Sequence, residues 1–320
     1  MIKYILPILV GLLLFTACDN TLDINAPYRE TPVVYAVIDL GQDSQIFRIQ
    51  KTYQNDVNKT AAEIAQYADS LYMKNITVKV VNDNNQNLFT EFKRVAPRKE
   101  AGYFSNADSS YWGHLTTNFF TANQRYTLRI KSNETGNEYI ATTTACGKAD
   151  IQLLAAIDLN PSVSNSFTYQ ITKLGDNIYT FDVYIRLKYW EKSTNSNDTI
   201  TRYVDYFLRE NTLYSTTNGT LRITVNRQAF LDYLKANIAV NANATRGFSN
   251  FEYIVVGSNI DYNDMIETNK PSGSIIPKVS DYSNITNGIG VFASRTTSVK
   301  EQPLKSTSID LLNTEILNRP

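Results

Sequence analysis

One imidazole, two thiols, one Asp/Asn-rich loop and one carboxylate cluster hold most of the chemical options of this 320-residue chain. His114 lies in Tyr111-Trp-Gly-His-Leu115, with no motif placing a nucleophile beside it, and reads as a surface or turn histidine among aromatics. A single His excludes every zinc signature that needs a pair. Asp83-Asn-Asn-Gln-Asn87 opens like a calcium loop. It fails where Leu88 replaces the obligatory glycine and where Arg94 replaces the closing glutamate, which leaves a hairpin turn. Asp261, Asp264 and Glu267 would share one face of a helix and read as a solvated acidic face. Gly288-Ile-Gly290 lacks the third glycine of a dinucleotide loop, and Gly147-Lys148 lacks the rest of a phosphate loop. Glycines in a strand context mark bulges or close backbone approach instead. The expectation is a protein that is not an enzyme and takes no cofactor and no metal.

The thiols divide by position. Cys146 sits in Thr144-Ala-Cys-Gly-Lys148 with no histidine nearby and reads as a buried structural thiol. Cys18 follows a short cationic start (Lys3) and the uncharged run Ile5–Ala17. Thirteen helical residues cover about 20 Å, short of a hydrocarbon core of about 30 Å, so the run has the length of a signal-peptide core. Phe15-Thr-Ala-Cys18 resembles a bacterial lipobox. That resemblance implies diacylation of Cys18, cleavage before it and acylation of the new terminus. Two or more acyl chains hold a protein stably on a membrane where one does not. With Cys18 lipidated, Cys146 has no partner for a disulfide, and stability must come from packing.

Charge and composition narrow the partners. Thirty-one basic residues balance 31 acidic ones, which excludes the broad cationic field of a nucleic-acid binder. An apolar content of 42% with 19% charged residues fits a folded chain. The 21 Tyr, 14 Phe and 2 Trp provide flat amphipathic surfaces that stack on sugars or anchor protein interfaces. Neighbouring aromatics on a strand point to opposite faces, so in each of the pairs Tyr111, Trp112 and Tyr189, Trp190 one ring is expected to meet solvent. These four are the candidate contacts to a ligand or partner. Asp69-Ser-Leu71 and Asp198-Thr-Ile200 resemble the O-glycosylation sequon of exported Bacteroidota proteins, which marks Ser70 and Thr199.

The elements that must position these groups are mostly strands. Residues 1–17 read as the leader and 18–31 as a lipidated tether. Pro32–Asp39 is a β-branched core strand, and Gln45–Tyr53 alternates like a half-buried antiparallel one. Thr60-Ala-Ala-Glu63 is a capping box, predicting a helix whose Ile64, Ala68, Leu71 and Tyr72 share a face. Ile76–Val81 and Leu88–Val95 flank a six-residue turn, and Gln124–Lys131 and Glu138–Thr144 form a second hairpin. Later, Ile178–Trp190 alternates and pairs back through Thr199–Leu208. A helix capped by Asn226 presents Phe230, Leu231, Leu234 and Ile238. Glu252–Gly257 and Ile289–Ala293 are the last buried strands. The predicted class is mainly all-β. It has an immunoglobulin-like β-sandwich over 32–147 and a second β-rich domain with one or two short helices over 148–320.

Several of these segments together resemble one family. They are the lipobox at Cys18, Gly102-Tyr-Phe104, Tyr126-Thr-Leu-Arg-Ile130, Glu138-Tyr-Ile-Ala-Thr142 and Asn284-Ile-Thr-Asn-Gly-Ile-Gly-Val-Phe292. The chain is similar to a domain-of-unknown-function group of Bacteroidota outer-membrane lipoproteins, often encoded beside TonB-dependent receptors. The resemblance implies an outer-membrane, lipid-anchored protein and brings no catalytic residues. The expected function is a non-enzymatic binding or assembly accessory, with the membrane and an outer-membrane protein or glycan as partners. The alternatives are a surface adhesin or polymer subunit and, behind it, an envelope hydrolase.

Overall fold

The β-branched run near the start forms strand β1 (Pro32–Asp39), with Val34, Ala36 and Ile38 buried and Tyr35 facing out. This is the period-two pattern of a strand with one covered face. In the computed structural model, residues 29–53, 59–73, 75–95, 111–115, 119–153, 155–195, 198–214, 220–270 and 282–319 are described. The leader, Cys18 and Gly102-Tyr-Phe104 lie outside them. Met1–Glu30 and Thr31–Pro320 are separate units.

β1 pairs antiparallel with β2 (Ser44–Lys51) and parallel with the last strand, β14 (Ile289–Glu301), which brings the two ends of the unit side by side. The next strands are β3 (Ile76–Asn82), β4 (Asn85–Val95), β5 (Tyr111–Leu115), β6 (Arg125–Ser132) and β7 (Glu138–Thr144). Then come β8 (Asp150–Gln152), β9 (Ser166–Lys173), β10 (Thr180–Ser193), β11 (Thr199–Leu213), β12 (Leu221–Asn226) and β13 (Ala244–Ser258). An eleven-stranded sheet runs β11-β10-β13-β14-β1-β2-β5-β4-β3-β6-β7, and a smaller one runs β12-β9-β8. β4 carries the large sheet round a corner. Its Phe92 is opposite Val78 of β3, while Lys93 to Val95 pair with β5.

The fold is mainly β and sandwich-like, the class that the strand spacing predicts. One core lies between the β3-β6-β7 layer (Val78, Val80, Leu128, Ile130, Ala141) and the β14-β1-β2 layer (Phe292, Val34, Ala36, Phe47, Ile49). Phe47 stacks on Phe92 at 4.1 Å and meets Phe292 edge-on at 6.2 Å. A second core lies between β9 and β12 (Phe167, Tyr169, Ile223) and β10 and β13 (Val183, Ile185, Phe251, Tyr253). Phe230, Leu231 and Leu234 of the helix Arg227–Asn237, with Ile238 just past its end, close it; the Asn226 cap accepts from the Ala229 N–H at 2.9 Å. A C-terminal helical segment, Ser306–Leu317, adds Leu312, Ile316 and Leu317.

Two local expectations change. The capping box forms: the Thr60 N–H donates to Glu63 at 2.7 Å and the Glu63 N–H to Thr60 Oγ1 at 3.2 Å. The helix it opens nevertheless breaks into α1 (Ala61–Ile64) and α2 (Ala68–Leu71). The Gln66 and Tyr67 N–H groups reach only three residues back, to Glu63 and Ile64, so the chain turns there and Tyr67 swings out under Lys59. Ile64, Leu71 and Tyr72 are buried all the same. The expected six-residue turn between β3 and β4 is tighter. Asn82 pairs with Asn85, leaving Asp83-Asn84 as a two-residue connection fastened by the Asn84 N–H on Asn82 Oδ1 at 2.9 Å.

Candidate functional site

Alternation along β10 sends Phe181, Val183, Ile185, Leu187 and Tyr189 into the core. It leaves Tyr184, Arg186, Lys188 and Trp190 on the opposite face. β11 is the outermost strand of the large sheet, and its Val204, Tyr206 and Leu208 pack inward. Tyr203, Asp205 and Phe207 therefore point the other way. Register places Phe207 opposite Tyr184, Asp205 opposite Arg186 and Tyr203 opposite Lys188.

These side chains form one ordered surface. Arg186 holds Asp205 in a two-pronged ion pair, Nε to Oδ1 at 2.6 Å and Nη2 to Oδ2 at 2.7 Å. Hydrogen bonding to Asp205 raises the guanidinium's pKa further above neutrality. The guanidinium lies 4.5 Å from the Tyr203 ring centre and 5.5 Å from that of Tyr184. Tyr184 in turn packs on Phe207 at 4.9 Å. Lys188 reaches Glu252 of the neighbouring β13 at 2.6 Å. Trp190 lies over Gly247, where a Cβ would land among the indole atoms. Tyr203 is 61% exposed, Phe207 47% and Trp190 36%, although the ion pair beside them is largely covered. The result is a flat aromatic face with charges fixed in place.

Of the four aromatics singled out from sequence, only Trp190 is on this face. Tyr189 is 7% exposed, with Arg246 5.8 Å from its ring centre. Trp112 is also 7% exposed, covered by Arg94, whose guanidinium is 5.4 Å from its ring and donates to the Met73 carbonyl. Trp112 thus belongs to the core. Tyr111 is placed in β5 by its backbone, and its side chain lies outside the described residues. Tyr184, Arg186, Tyr203 and Phe207 escaped sequence reasoning, although Tyr203-Val-Asp-Tyr-Phe207 alternates beside Val204 and Tyr206.

The other candidates resolve separately. His114 belongs to β5, opposite Gln45, and not to a turn. Asp83 accepts from Thr127 and pairs with Arg125, so the calcium-loop likeness dissolves into hairpin contacts. Asp261, Asp264 and Glu267 do lie on one helix, Ile260–Asn269. Asp261, however, is not a solvated acid. Its Oδ2 accepts from Thr143 at 2.9 Å and Asn259 at 3.0 Å, and its Oδ1 from Tyr282 at 3.0 Å. Among the described residues no group of three or more His, Cys, Asp or Glu side chains is placed to hold a metal.

Cys146 is fully buried, its N–H donating to Ser294 Oγ at 3.0 Å. Burial pushes its thiol up to about 12, against a smaller opposing effect of the Ser294 hydrogen bond, so it is no nucleophile at neutral pH. Ser70 is half-buried in α2, and Thr199 is exposed at the start of β11. No helix among the described residues is long and apolar enough to cross a membrane.

No protein-family model and no curated protein matches the chain. Among solved structures it is similar to one described as "Biofilm associated protein - BSP domain", at 8% identity and a TM-score of 0.15. The alignment covers 87% of this chain and 60% of that one, a superposition too loose to carry an argument.

Proposed function

We propose that this chain is a non-enzymatic binding lipoprotein of the bacterial outer membrane. In this reading it is anchored through lipid on Cys18 and docks a membrane-protein partner, a TonB-dependent transporter in the leading case, through the outer face of β10 and β11. The observation that carries the reading is the composition of that face. Tyr, Trp and Arg are the residue types that dominate interface hot spots, and here Tyr203, Trp190 and Arg186 stand together with Phe207. The Asp205 partner fixes Arg186 before any contact is made, which lowers the ordering cost of association. A lipid tether adds a high effective concentration beside membrane partners, so a modest face suffices.

Replacing Tyr203→Ala and Phe207→Ala together tests the reading. Both side chains are exposed, so folding and the melting temperature stay within a few degrees of the parent. Loss of two hot-spot rings at about 2 kcal/mol each would cut recovery of the crosslinked partner more than tenfold. Equal recovery from parent and variant counts against the face. A second reading, a surface adhesin assembled by strand addition, draws on the outer edge of β11, where Ile200 and Leu213 are exposed. Ile200→Lys would then abolish oligomers while leaving partner recovery untouched.

A further inference from the structure

Strands β14, β1 and β2 present two rows of side chains on the face turned away from their core. Register aligns Val291, Tyr35 and Arg48 in one row and Ile289, Val33 and Gln50 in the next. The helix Ile260–Asn269 contributes Met265 and Asn269, and Tyr282 comes from the segment before β14. Together these residues line a cavity of about 440 Å³, within the range of small-molecule sites. Gly290 keeps the strand junction below it close, at φ +112°, because it has no Cβ to meet the Val34 carbonyl.

Most polar groups on the wall are already engaged. Tyr282 donates to Asp261 at 3.0 Å, the Asn269 amide to the Met265 carbonyl at 2.8 Å, and Tyr35 hydrogen-bonds with Tyr262. Asp261, the acid bound to Tyr282, is itself taken by Thr143 and Asn259. Arg48 is not. Its Nε is buried with no hydrogen-bond partner. A buried donor on a cation without a partner is costly, and a carboxylate oxygen satisfies it at short range. The same cavity is lined by Val33, Ile289, Val291 and Met265, which are apolar.

We propose that this cavity binds a small apolar monocarboxylate, its carboxylate on Arg48 and its hydrocarbon or aromatic body against Val33, Ile289, Val291 and Met265. A single cation matches a single negative charge. The site is independent of the β10–β11 face, so either reading can fail without the other.

Titration of the purified full chain with 3-phenylpropionate, 3-phenylpropanol and 3-phenylpropylamine tests it, because the three probes share a body and differ in charge. The acid is expected to bind at least tenfold tighter than the alcohol, with the amine weakest. Arg48→Gln removes that preference, Arg48→Lys retains part of it, and Met265→Trp, which fills the cavity, abolishes binding of acid and alcohol alike. Equal affinity for acid and alcohol, a preference unchanged in Arg48→Gln, or no binding of the acid at millimolar concentration overturns the proposal. If a variant does not fold, the three probes on the parent chain still decide.

Discussion

Gly290→Ala lowers the unfolding free energy by about 3 kcal/mol or more, while Gly136→Ala costs about 1 kcal/mol. Both glycines have positive φ, +112° and +74°, so both substitutions incur backbone strain of about 1–2 kcal/mol or less. The difference is steric. Nothing lies within 4 Å of a Cβ at position 136, whereas a Cβ at 290 falls on the Val34 carbonyl oxygen. Relief requires β14 to move from β1, and that parallel pairing, Val33 with Ile289 through Asp39 with Arg295, joins the two ends of the unit. It also disturbs Asp39, whose carboxylate accepts from Arg295 at 2.9 Å and from the Thr297 N–H at 3.1 Å. Urea unfolding of the two variants measures the gap, and equal losses would show that the strands tolerate a methyl between them.

Arg246→Met costs about 3–5 kcal/mol, the range for removing one partner of a buried ion pair. Arg246 bonds Glu191 through Nε at 2.7 Å and Nη2 at 2.6 Å, and Nη1 donates to the Ala239 carbonyl at 2.7 Å. Its loss strands Glu191 beside only Arg202, at 3.3 Å and half exposed. Adding Glu191→Leu recovers much of the stability, because the cost lies in the orphaned charge. The pH dependence has a definite sign. Burial works to raise the Glu191 carboxyl, but hydrogen bonds and charge from Arg246 and then Arg202 outweigh it and hold the carboxyl below its ordinary value. A carboxyl lower in the folded state stabilises the protein above its unfolded-state pKa and loses that contribution as pH falls through the folded one. The parent therefore loses more stability than Arg246→Met between pH 7 and pH 3. A steeper acid loss in the variant would contradict the assignment.

Elements governed by local periodicity were legible in the sequence. The alternation Phe181, Val183, Ile185, Leu187 and the helical face Phe230, Leu231, Leu234, Ile238 are both core in the structure. The partnership of β1 with β14 was not, since parallel pairing between residues more than 250 positions apart leaves no turn or short-range pattern. Trp112 and Trp190 look alike in sequence, each beside a tyrosine in an alternating strand. Only tertiary packing decides that Arg94 covers one while the other stays open. The aromatic face needed register as well: Arg186 finds Asp205 because β10 and β11 align there, despite irregular pairing near Phe181 and Val183. The cavity is built from three strands and a helix distant in sequence, so no single segment announces it.

On the proposed function, an anchored protein makes contact through β10 and β11. The most direct measurement replaces Tyr203 with a photo-crosslinking residue in intact cells, with the same residue at Glu134, an exposed turn position, as control. A discrete adduct to one envelope protein from position 203, absent from position 134 and lost with Cys18→Ala, is the predicted result. An adduct that survives Cys18→Ala, or one that forms equally from both positions, would contradict it.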